Sequence, residues 1–360
     1  MRVLQIIDSL DAGGAERMAV NYANALGDKI EFSGIVVTRK EGVLKNQLGD
    51  KVAYYFLNKK KVIDFKAIKL LKNIIVKNNI DILHAHGTSF FTAFLLKTIC
   101  FKIKIVFHEH NGDRSNQSFF KNLPLFICLF FFRKVLVVNK QIESWFHQIG
   151  IKKASYFPNF ASLESNDTQK TFLNGQEGKR IVCLANLREP KNHSVLIKAF
   201  AQLNLKEEGW SLHFVGKNHQ DFYSENIIKL TKELNISDCV SLYDSKSDIS
   251  NILSQTTIGV LCSTYEGFPV TLLEYGLASI SVISSNVGFC SEVIIPNKTG
   301  LLFKSNEVDD LAFNLNKLVN DIGLRTILST NLNTLVRDNY SKEKVVSSLV
   351  SVYKTAINEV

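Results

Sequence analysis

Two glutamates, Glu266 and Glu274, lie on either side of Pro269 in a segment that reads as a loop running into a helix. Pro269 has its φ angle already set for a first helical turn and has no N–H group to lose there, so we expect the helix to begin at this residue. The amides of residues 270–272 would then be unpaired, and free amides at a helix start attract anions, above all phosphate. The segment therefore predicts a phosphate site beside two carboxylates.

Glu274 lies one helical turn beyond Val270 and Thr271 and shares their face of the predicted helix, with its side chain tilted back toward the helix start. A carboxylate repels a phosphate unless it accepts hydrogen bonds from hydroxyl groups joined to that phosphate, such as those of a ribose or another sugar. Glu266, in the preceding loop, is placed to reach the other side of the anion. The alternative is a surface helix with two solvated glutamates.

The same segment resembles the signature of retaining glycosyltransferases of family 4, the glycosyl transferases group 1, which have the GT-B fold. It reads Ser263-x-x-Glu266-Gly267-Phe268-Pro269-x-x-x-x-Glu274. The resemblance implies that Glu266 contacts the transferred sugar, that Glu274 holds the nucleotide ribose, and that the helix start binds the donor diphosphate. The donor-binding residues that it implies in this segment are Glu266, Gly267, Phe268, Val270, Thr271 and Glu274.

The composition describes a globular chain of two domains. Its 360 residues exceed one ordinary domain, and 46% of them are hydrophobic. Six cysteines are scattered without a C-x-x-C pair, which favours reduced thiols in the cytoplasm. The apolar start of the chain is interrupted too early, at Asp8, for a signal peptide, and the longest apolar run, residues 123–132, is about half a membrane-spanning helix. We therefore predict a cytoplasmic protein without a membrane span.

A formal net charge of +9 favours an anionic partner. Nucleotide phosphates, an anionic bilayer and nucleic acid all meet that description. Nucleic acid is disfavoured because the lysines are spread along the chain and the aromatic residues fall in apolar runs, where stacking platforms would not be. The charge thus favours a nucleotide or a membrane surface as the partner.

Strand-like and helix-like segments alternate through both halves of the chain, which predicts two Rossmann-like, doubly wound α/β domains with parallel sheets. The family resemblance implies that the two domains face a cleft, as in GT-B proteins. We place an N-terminal, acceptor-side domain at residues 1–160, a polar linker at 161–179, a C-terminal nucleotide-sugar-binding domain at 180–340, and a helix that crosses back to the first domain at 341–360.

The first predicted strand is followed by two glycines, Gly13 and Gly14, and then by a helix. Glycines allow a ligand to approach the backbone closely, and the helix start can receive an anion. The loop is not a G-x-G-x-x-G fingerprint. It resembles the first loop of family 4 enzymes, which approaches the donor phosphates and the acceptor; a plain left-handed turn is the alternative.

Four histidines end two predicted strands, in the pairs His84 and His86, and His108 and His110. Residues two apart share a strand face, so the four side chains can converge if the strands are neighbours, and a metal site is conceivable. We predict no metal, because no cysteine or carboxylate completes a ligand set and no D-x-D motif occurs. The resemblance implies that a histidine at the end of the second strand meets the donor sugar. His110 matches it, with His108 as the fallback, whereas His84 reads as a core histidine.

After the first strand of the second half, family members usually place an arginine and, five residues later, a lysine, which clamp the donor diphosphate. Lys191 matches the lysine, but Asn186 stands at the arginine position. Arg188, two residues further on, is predicted to substitute because guanidinium is a good fork for phosphate; a solvated Arg188 is the alternative. Ser279 and Ser281 replace the glycine and proline that usually follow the key helix.

The resemblance as a whole implies a hexosyltransferase without metal or cofactor, which moves a sugar from a UDP- or GDP-linked donor in bacterial surface polysaccharide or glycolipid biosynthesis. The front-face mechanism generally proposed for the family needs no nucleophile, because the leaving phosphate itself assists. The expected catalytic residues are His110, Arg188, Lys191 and Glu266. Two alternatives are a nucleotide-sugar epimerase of the same fold and a non-catalytic nucleotide-sugar-binding partner.

The run from residue 119 to residue 134 is more apolar than a one-faced helix requires, and it is flanked by Lys121, Arg133 and Lys134. We predict that it makes peripheral contact with the cytoplasmic face of the inner membrane, which suits a lipid-linked glycan acceptor. The alternative is a fully buried helix.

Overall fold

The computed structural model describes residues 1–11, 13–111, 114, 118–163 and 170–358. The chain forms two compact units. Unit 1 comprises Met1–Phe160 together with Lys342–Val360, and unit 2 comprises Ala161–Ser341.

Unit 1 alternates strands and helices. Its strands are β1 (Arg2–Ser9), β2 (Phe32–Lys40), β3 (Val52–Phe56), β4 (Ile82–His86), β5 (Lys104–Glu109), β6 (Lys134–Val137) and β7 (Ala154–Tyr156). Its helices are α1 (Gly14–Leu26), α2 (Phe65–Lys77), α3 (Phe90–Lys97), α4 (Phe119–Leu129), α5 (Lys140–Gln148) and, last in the chain, α13 (Lys342–Asn358).

The seven strands of unit 1 form one sheet in the order β3-β2-β1-β4-β5-β6-β7, and every neighbouring pair is parallel. The central strand β4 is buried along its whole length. A parallel sheet needs apolar cover on both faces, which explains why these strands are near-continuous apolar runs in the sequence.

Unit 2 repeats the pattern with six strands. They are β8 (Arg180–Leu184), β9 (Ser211–Val215), β10 (Val240–Tyr243), β11 (Ile258–Leu261), β12 (Ser281–Ser285) and β13 (Leu301–Phe303). The helices are α6 (His193–Gln202), α7 (Phe222–Glu233), α8 (Ile249–Ser254), α9 (Val270–Leu277), α10 (Cys290–Val293), α11 (Val308–Asn320) and α12 (Ile322–Tyr340). The sheet order is β10-β9-β8-β11-β12-β13, again all parallel, so the predicted pair of Rossmann-like domains is confirmed.

Each sheet has one point where the strand order reverses direction, between β1 and β4 in unit 1 and between β8 and β11 in unit 2. Ligands of doubly wound sheets bind at such switch points, outside the carboxyl ends of the strands. The topology therefore predicts ligand-binding residues in the loops that follow these four strands, where most of the predicted site residues lie.

Two helices of unit 1, α3 and α4, end although apolar residues follow them in the sequence, and a lysine lies at each end. α3 stops at Lys97, whose Nζ donates to the carbonyls of Phe101 at 2.6 Å and Ile103 at 2.7 Å. α4 stops at Leu129, where Lys153 Nζ donates to the Leu129 carbonyl at 2.5 Å and to that of Phe132 at 2.7 Å. Each ammonium group thus binds backbone carbonyls at or just beyond the end of a helix, which stabilises the turn of the chain there.

The described part of the segment predicted as a linker contacts unit 2 through hydrogen bonds. The Thr171 amide donates to Asp248 at 2.5 Å, its hydroxyl donates to the other carboxylate oxygen at 2.9 Å, and the Leu173 amide donates to Gln255 at 3.0 Å. Leu173 is buried. Residues 164–169 of that segment lie outside the described residues.

Within the described ranges, no helix has both the length and the apolar character needed to cross a bilayer.

Candidate functional site

The loops after β8 and β11 bring a lysine and a glutamate together at the switch point of unit 2. Lys191 ends a short 3-10 helix, Glu189–Lys191, and its Nζ lies 2.5 Å from Oε1 of Glu266. The Ser263 hydroxyl donates to the same carboxylate oxygen at 2.6 Å. The predicted phosphate-binding cation and the predicted sugar-binding carboxylate are thus direct neighbours.

Both predicted carboxylates are largely buried. The side chain of Glu266 is 11% exposed, and Glu274, on α9, is 4% exposed. A solvated helix face would leave such side chains in water, so the surface-helix alternative is wrong. Buried carboxylates are retained where they bind a partner, which fits a ligand-binding role for this pair.

The start of α9 differs from the prediction. The helix begins at Val270, because Pro269 has a non-helical backbone with φ −81° and ψ 85°. The Val270 amide donates back to the Phe268 carbonyl at 3.1 Å, which makes an inverse γ-turn centred on Pro269, and the Leu272 amide donates to the Pro269 carbonyl at 3.0 Å. The prediction of three free amides is therefore wrong; in the described part of the chain, only the Thr271 amide among them lacks a backbone acceptor.

Gly288, in the loop after β12, supports Glu266 and was missed in the sequence. Its φ is +51°, and a Cβ atom there would lie 1.7 Å from the backbone carbonyl oxygen of Glu266. From the same loop region, the Ser285 hydroxyl donates to the Ser263 carbonyl at 2.6 Å. The backbone around Glu266 is thus packed directly against this loop, and any side chain at position 288 would displace it. The only sequence signal was a glycine shortly after a predicted strand.

Asn186 takes a structural role at the position where the family usually has an arginine. Its side-chain oxygen accepts a hydrogen bond from the Lys217 amide at 2.9 Å, which ties the loop after β8 to the loop after β9. Arg188 is exposed and precedes the 3-10 helix, with an extended backbone. No described residue forms an ion pair with its guanidinium, so a role of Arg188 at phosphate stays a prediction.

The two serines that stand at the usual glycine and proline positions after α9 have defined backbone and side-chain roles. Ser279 has φ +55°, the left-handed conformation that glycine adopts without strain. The Ser281 hydroxyl donates to the Arg325 carbonyl at 3.0 Å, which anchors the start of β12 to α12. Ser279 thus adopts a conformation that glycine would adopt with less strain, and Ser281 has a structural contact of its own.

The glycine loop of unit 1 caps α1. Gly13 is the N-cap residue, with an extended backbone of φ −149° and ψ 165°, and Gly14 is the first helical residue. The left-handed turn that was the alternative does not form. A Cβ atom on Gly13 would lie 2.2 Å from a carboxylate oxygen of Glu16, so glycine makes room for that side chain at the helix start. Ala12 lies outside the described residues.

The four histidines at the switch point of unit 1 form a stack, as their spacing predicted. His84, His86 and His108 are buried, and His110 is half-buried. The rings of His84 and His108 are parallel within 2° at a centroid distance of 5.4 Å, and those of His108 and His110 lie 4.2 Å apart. His110 is thus the accessible member, which favours it over the fallback His108 as a ligand contact.

Burial lowers the pKa of all four imidazoles. The pKa of His110 falls to about 3, and those of His84, His86 and His108 lie well below the usual 6.5. The mutual repulsion of the charged forms acts in the same direction on the three inner histidines. The stack is therefore neutral at physiological pH.

Three histidines of the stack bring ring nitrogens close enough together to form a candidate metal site. His84, His86 and His108 each bring one nitrogen within 4.8 Å of the others. However, both nitrogens of His86 are hydrogen-bonded, one to Gln5 at 2.8 Å and one to His110 at 2.9 Å. Nε2 of His84 and both ring nitrogens of His108 are buried and have no hydrogen-bond partner among the described residues. The absence of a metal therefore stays a prediction.

Comparisons with known proteins agree on one family. The model described as Glycosyltransferase Family 4 matches residues 12–165, and the model described as Glycosyl transferases group 1 matches residues 165–333. An uncharacterized glycosyltransferase of Haemophilus influenzae is 25% identical over 348 residues, which cover 93% of this chain and 94% of the relative. The O-antigen biosynthesis glycosyltransferase WbnH of Escherichia coli is 25% identical over 328 residues, covering 88% and 89%.

The fold matches solved structures over the whole chain. The structure of Anabaena Alr3699/HepE in complex with UDP and glucose superimposes with a TM-score of 0.80 at 15% sequence identity, and it covers 99% of this chain and 100% of that protein.

Proposed function

The chain belongs to glycosyltransferase family 4 and has the GT-B fold, and from this premise we propose that it is a retaining hexosyltransferase that works without a metal ion. In this proposal it transfers a sugar from a nucleotide donor to a hydroxyl group of a glycan or lipid-linked glycan. The observation that carries the proposal is the buried group formed by Lys191 and Glu266 at the switch point of unit 2, with buried Glu274 on the helix that follows.

Lys191 is the principal cation for the donor diphosphate in this proposal. Negative charge grows on the phosphate as the bond between the sugar and the phosphate oxygen breaks, and a fixed ammonium stabilises that charge. The amide of Thr271 adds a donor from the helix start, and Arg188 adds a second cation. The acceptor hydroxyl attacks the sugar carbon on the face that the phosphate leaves, and its proton passes to the departing phosphate oxygen.

In this proposal Glu266 and His110 each contact the transferred sugar, and Glu274 binds the ribose. Glu266 forms an ion pair with Lys191. If Lys191 binds the donor phosphate as proposed, this contact supports a position of the Glu266 carboxylate beside the sugar carbon that becomes positive. The relative solved with UDP and glucose supports a uridine diphosphate hexose as donor; a guanosine diphosphate hexose is the alternative that the family resemblance leaves open. The relative named for O-antigen biosynthesis supports a role in bacterial surface polysaccharide assembly.

Incubation with radiolabelled UDP- and GDP-hexoses tests this function. We expect slow donor hydrolysis in water and transfer when a glycan acceptor is supplied. Recovery of an isomerised nucleotide sugar would identify an epimerase instead. Binding without any turnover, across the full panel of donors and acceptors, would identify a non-catalytic partner.

Lys191→Ala should weaken nucleoside diphosphate binding more than Arg188→Ala does. Charge-assisted hydrogen bonds to phosphate are worth about 1.5 to 3 kcal/mol, so we expect about a 10- to 100-fold rise in Kd for Lys191→Ala by titration calorimetry. Arg188 is exposed, and its contribution should stay below about 1 kcal/mol because water screens it. Equal and negligible effects of the two variants would place the diphosphate elsewhere.

We further propose that α4 makes peripheral contact with an anionic membrane. One side of α4 packs into the core of unit 1 through Leu125, Cys128 and Leu129. The fully buried alternative is wrong, because apolar residues on the other side are exposed. That other side, together with the two residues that follow Leu129, forms a surface of five exposed apolar residues, with Phe120 82% and Phe130 78% exposed. This α4 surface comprises Phe120, Leu123, Ile127, Phe130 and Phe131.

Exposed aromatic residues beside lysine and arginine are typical of helices that lie in a membrane interface. We expect the protein to co-sediment with anionic vesicles at low salt, and less so at high salt because the charge attraction is screened. The double variant Phe120→Ser with Phe130→Ser should reduce binding at least about tenfold, since each buried phenylalanine contributes about 1.5 to 3 kcal/mol. The matched control replaces Phe222 and Phe313 of unit 2, which are 77% and 62% exposed. Equal loss in both double variants, or none in either, would remove the α4 surface from membrane binding.

A further inference from the structure

A continuous hydrogen-bonded chain runs through unit 1 and ends at His110. From the buried end, the Tyr353 hydroxyl of α13 lies 2.6 Å from Nδ1 of His84, and Gln5 Nε2 donates to that hydroxyl at 3.4 Å. Nε2 of His86 lies 2.8 Å from Gln5 Oε1, and Nδ1 of His86 lies 2.9 Å from Nε2 of His110. The members come from β1, β4, the end of β5 and α13, and all except His110 are buried.

The position of each proton in this chain follows from Gln5. The side-chain oxygen of a glutamine only accepts hydrogen bonds, so Nε2 of His86 must carry the hydrogen that it shares with Gln5 Oε1. Burial keeps His86 neutral, and a neutral imidazole has one N–H and one lone pair. Nδ1 of His86 is therefore an acceptor, and Nε2 of His110 must donate to it.

We propose that Gln5 and His86 are positioning residues that hold His110 in its Nε2–H tautomer, so that its Nδ1 atom is offered to a ligand as a hydrogen-bond acceptor. No described residue lies within hydrogen-bond distance of Nδ1 of His110. A nitrogen with a lone pair binds a hydroxyl group and disfavours a carboxylate, which has no hydrogen to donate. As far as the ligand is concerned, the inference rests on the proposed function: His110 would select a donor sugar with a free hydroxyl at the position it contacts.

Nitrogen-15 NMR of the full-length protein tests the tautomer without any substrate. The protein is labelled at its histidine rings, of which it has eight, and two-bond proton–nitrogen spectra are recorded near pH 7.5. His147 supplies an internal reference, because its Nε2 lies 2.8 Å from the Ala154 carbonyl, which only accepts, so this ring must also be in the Nε2–H form. We expect the His110 signals, assigned by their loss in His110→Ala, to show the same pattern as those of His147. A His110 pattern with the proton on Nδ1 overturns the inference.

Two substitutions of Gln5 separate positioning from mere structural support. Gln5→Leu keeps the volume and removes the acceptor, so we expect His110 to move to a mixture of tautomers while His147 stays unchanged. Gln5→Glu keeps an acceptor in place and should keep the Nε2–H pattern. If His110 is unaffected by Gln5→Leu in a folded protein, Gln5 does not set the tautomer. If Gln5→Leu does not fold, the spectra of the wild-type protein and of Gln5→Glu still show which ring nitrogen of His110 carries the hydrogen.

A kinetic measurement extends the test to the ligand. Donor analogues in which one sugar hydroxyl at a time is replaced by fluorine keep an acceptor and lose the donated hydrogen. We expect one position at which the wild-type protein loses at least tenfold in kcat/KM and His110→Ala loses little further. No such position, with the tautomer confirmed by NMR, would overturn the selection of a hydroxyl. Absence of turnover with every donor would contradict the proposed function and leave the NMR result standing.

Discussion

Alanine in place of Glu266 will lower transfer turnover at least about a hundredfold and leave nucleoside diphosphate affinity undiminished. The carboxylate stabilises the positive charge that develops on the sugar in the transition state. Its removal should therefore lower kcat. Its ion pair with Lys191 sharpens the expectation, because removal of Glu266 frees the lysine ammonium for phosphate. Glu274→Ala should instead raise the Kd of the nucleoside diphosphate and of the full donor alike, since the ribose is common to both.

Titration calorimetry with the nucleotide alone, beside a donor-hydrolysis or transfer assay, measures both quantities for each variant. Loss of one or two charge-assisted hydrogen bonds predicts about a 10- to 100-fold rise in Kd for Glu274→Ala. Glu189 is a matched control, because it lies in the same 3-10 helix as Lys191 and is exposed. If Glu266→Ala abolished nucleotide binding while Glu274→Ala did not, the two roles would be reversed. If neither variant differed from Glu189→Ala, the glycosyltransferase site would not be here.

Unit 1 should lose its stability steeply just below neutral pH. Its three fully buried histidines, His84, His86 and His108, have pKa values well below 6.5 in the folded state, whereas an unfolded chain has histidines near 6.5. Between these values the unfolded state binds more protons, so the free energy of unfolding falls as the pH falls. Each such histidine lowers the free energy of unfolding by about 1.4 kcal/mol per pH unit, and the three together lower it by about 4 kcal/mol per pH unit.

The groups that face the stack do not offset this dependence. Tyr22 of α1 and Tyr353 of α13 have pKa values raised by burial and stay neutral, Gln5 does not titrate, and His110 adds to the effect because its pKa is about 3. A domain of ordinary stability, about 5 to 15 kcal/mol, would therefore unfold within roughly one to four pH units below 6.5.

The two tryptophans allow each unit to be followed separately. Trp145 lies in unit 1 and Trp210 in unit 2, and they are the only tryptophans of the chain. Urea unfolding of the Trp210→Phe variant, read through Trp145, should show a midpoint that drops sharply between pH 7.5 and pH 5.5. Replacement of His108 by phenylalanine, which keeps a flat ring in the stack, should reduce the slope by about one proton. An unchanged midpoint over this range would mean that the stack accepts protons in the folded state.

His219 provides the control, because it lies in unit 2 and its replacement should leave the midpoint of unit 1 unchanged. Read through Trp210 in the Trp145→Phe variant, unit 2 should be less sensitive to acid. There, burial lowers the pKa of His213 to about 4, but no comparable stack exists among the described residues of unit 2.

Local patterns predicted the sheets well. Strands such as β9 and β10 coincide with the strand-like segments at residues 211–215 and 240–243, because short runs bounded by turn residues favour strands in a doubly wound domain. The alternation of strands and helices then fixes which loops share an edge, so Lys191, Glu266 and the histidines were expected in the right places. These inferences needed only neighbours in the sequence and the rules of parallel sheets.

The parts that failed or were missed depend on contacts that no local pattern records. Pro269 was expected inside a helix, but its carbonyl and that of Phe268 accept bonds that make a turn instead. Gly288 is needed because the backbone of Glu266 passes against it. Gln5 and Tyr353 are 348 positions apart in sequence and meet only in the folded unit. Their roles follow from packing, which short-range patterns do not specify.

The last helix has a consequence for how the protein is made. α13 follows unit 2 in the sequence, yet it supplies buried residues to unit 1, among them Tyr353, which closes the histidine stack. A ribosome therefore delivers all of unit 2 before unit 1 can be completed, and the first 160 residues wait with an open core while the next 181 are synthesised. Unit 2 is contiguous and can fold as it emerges. The nascent chain thus contains a finished second domain beside an unfinished first one, and the unfinished domain is the part for which chaperones and proteases would compete.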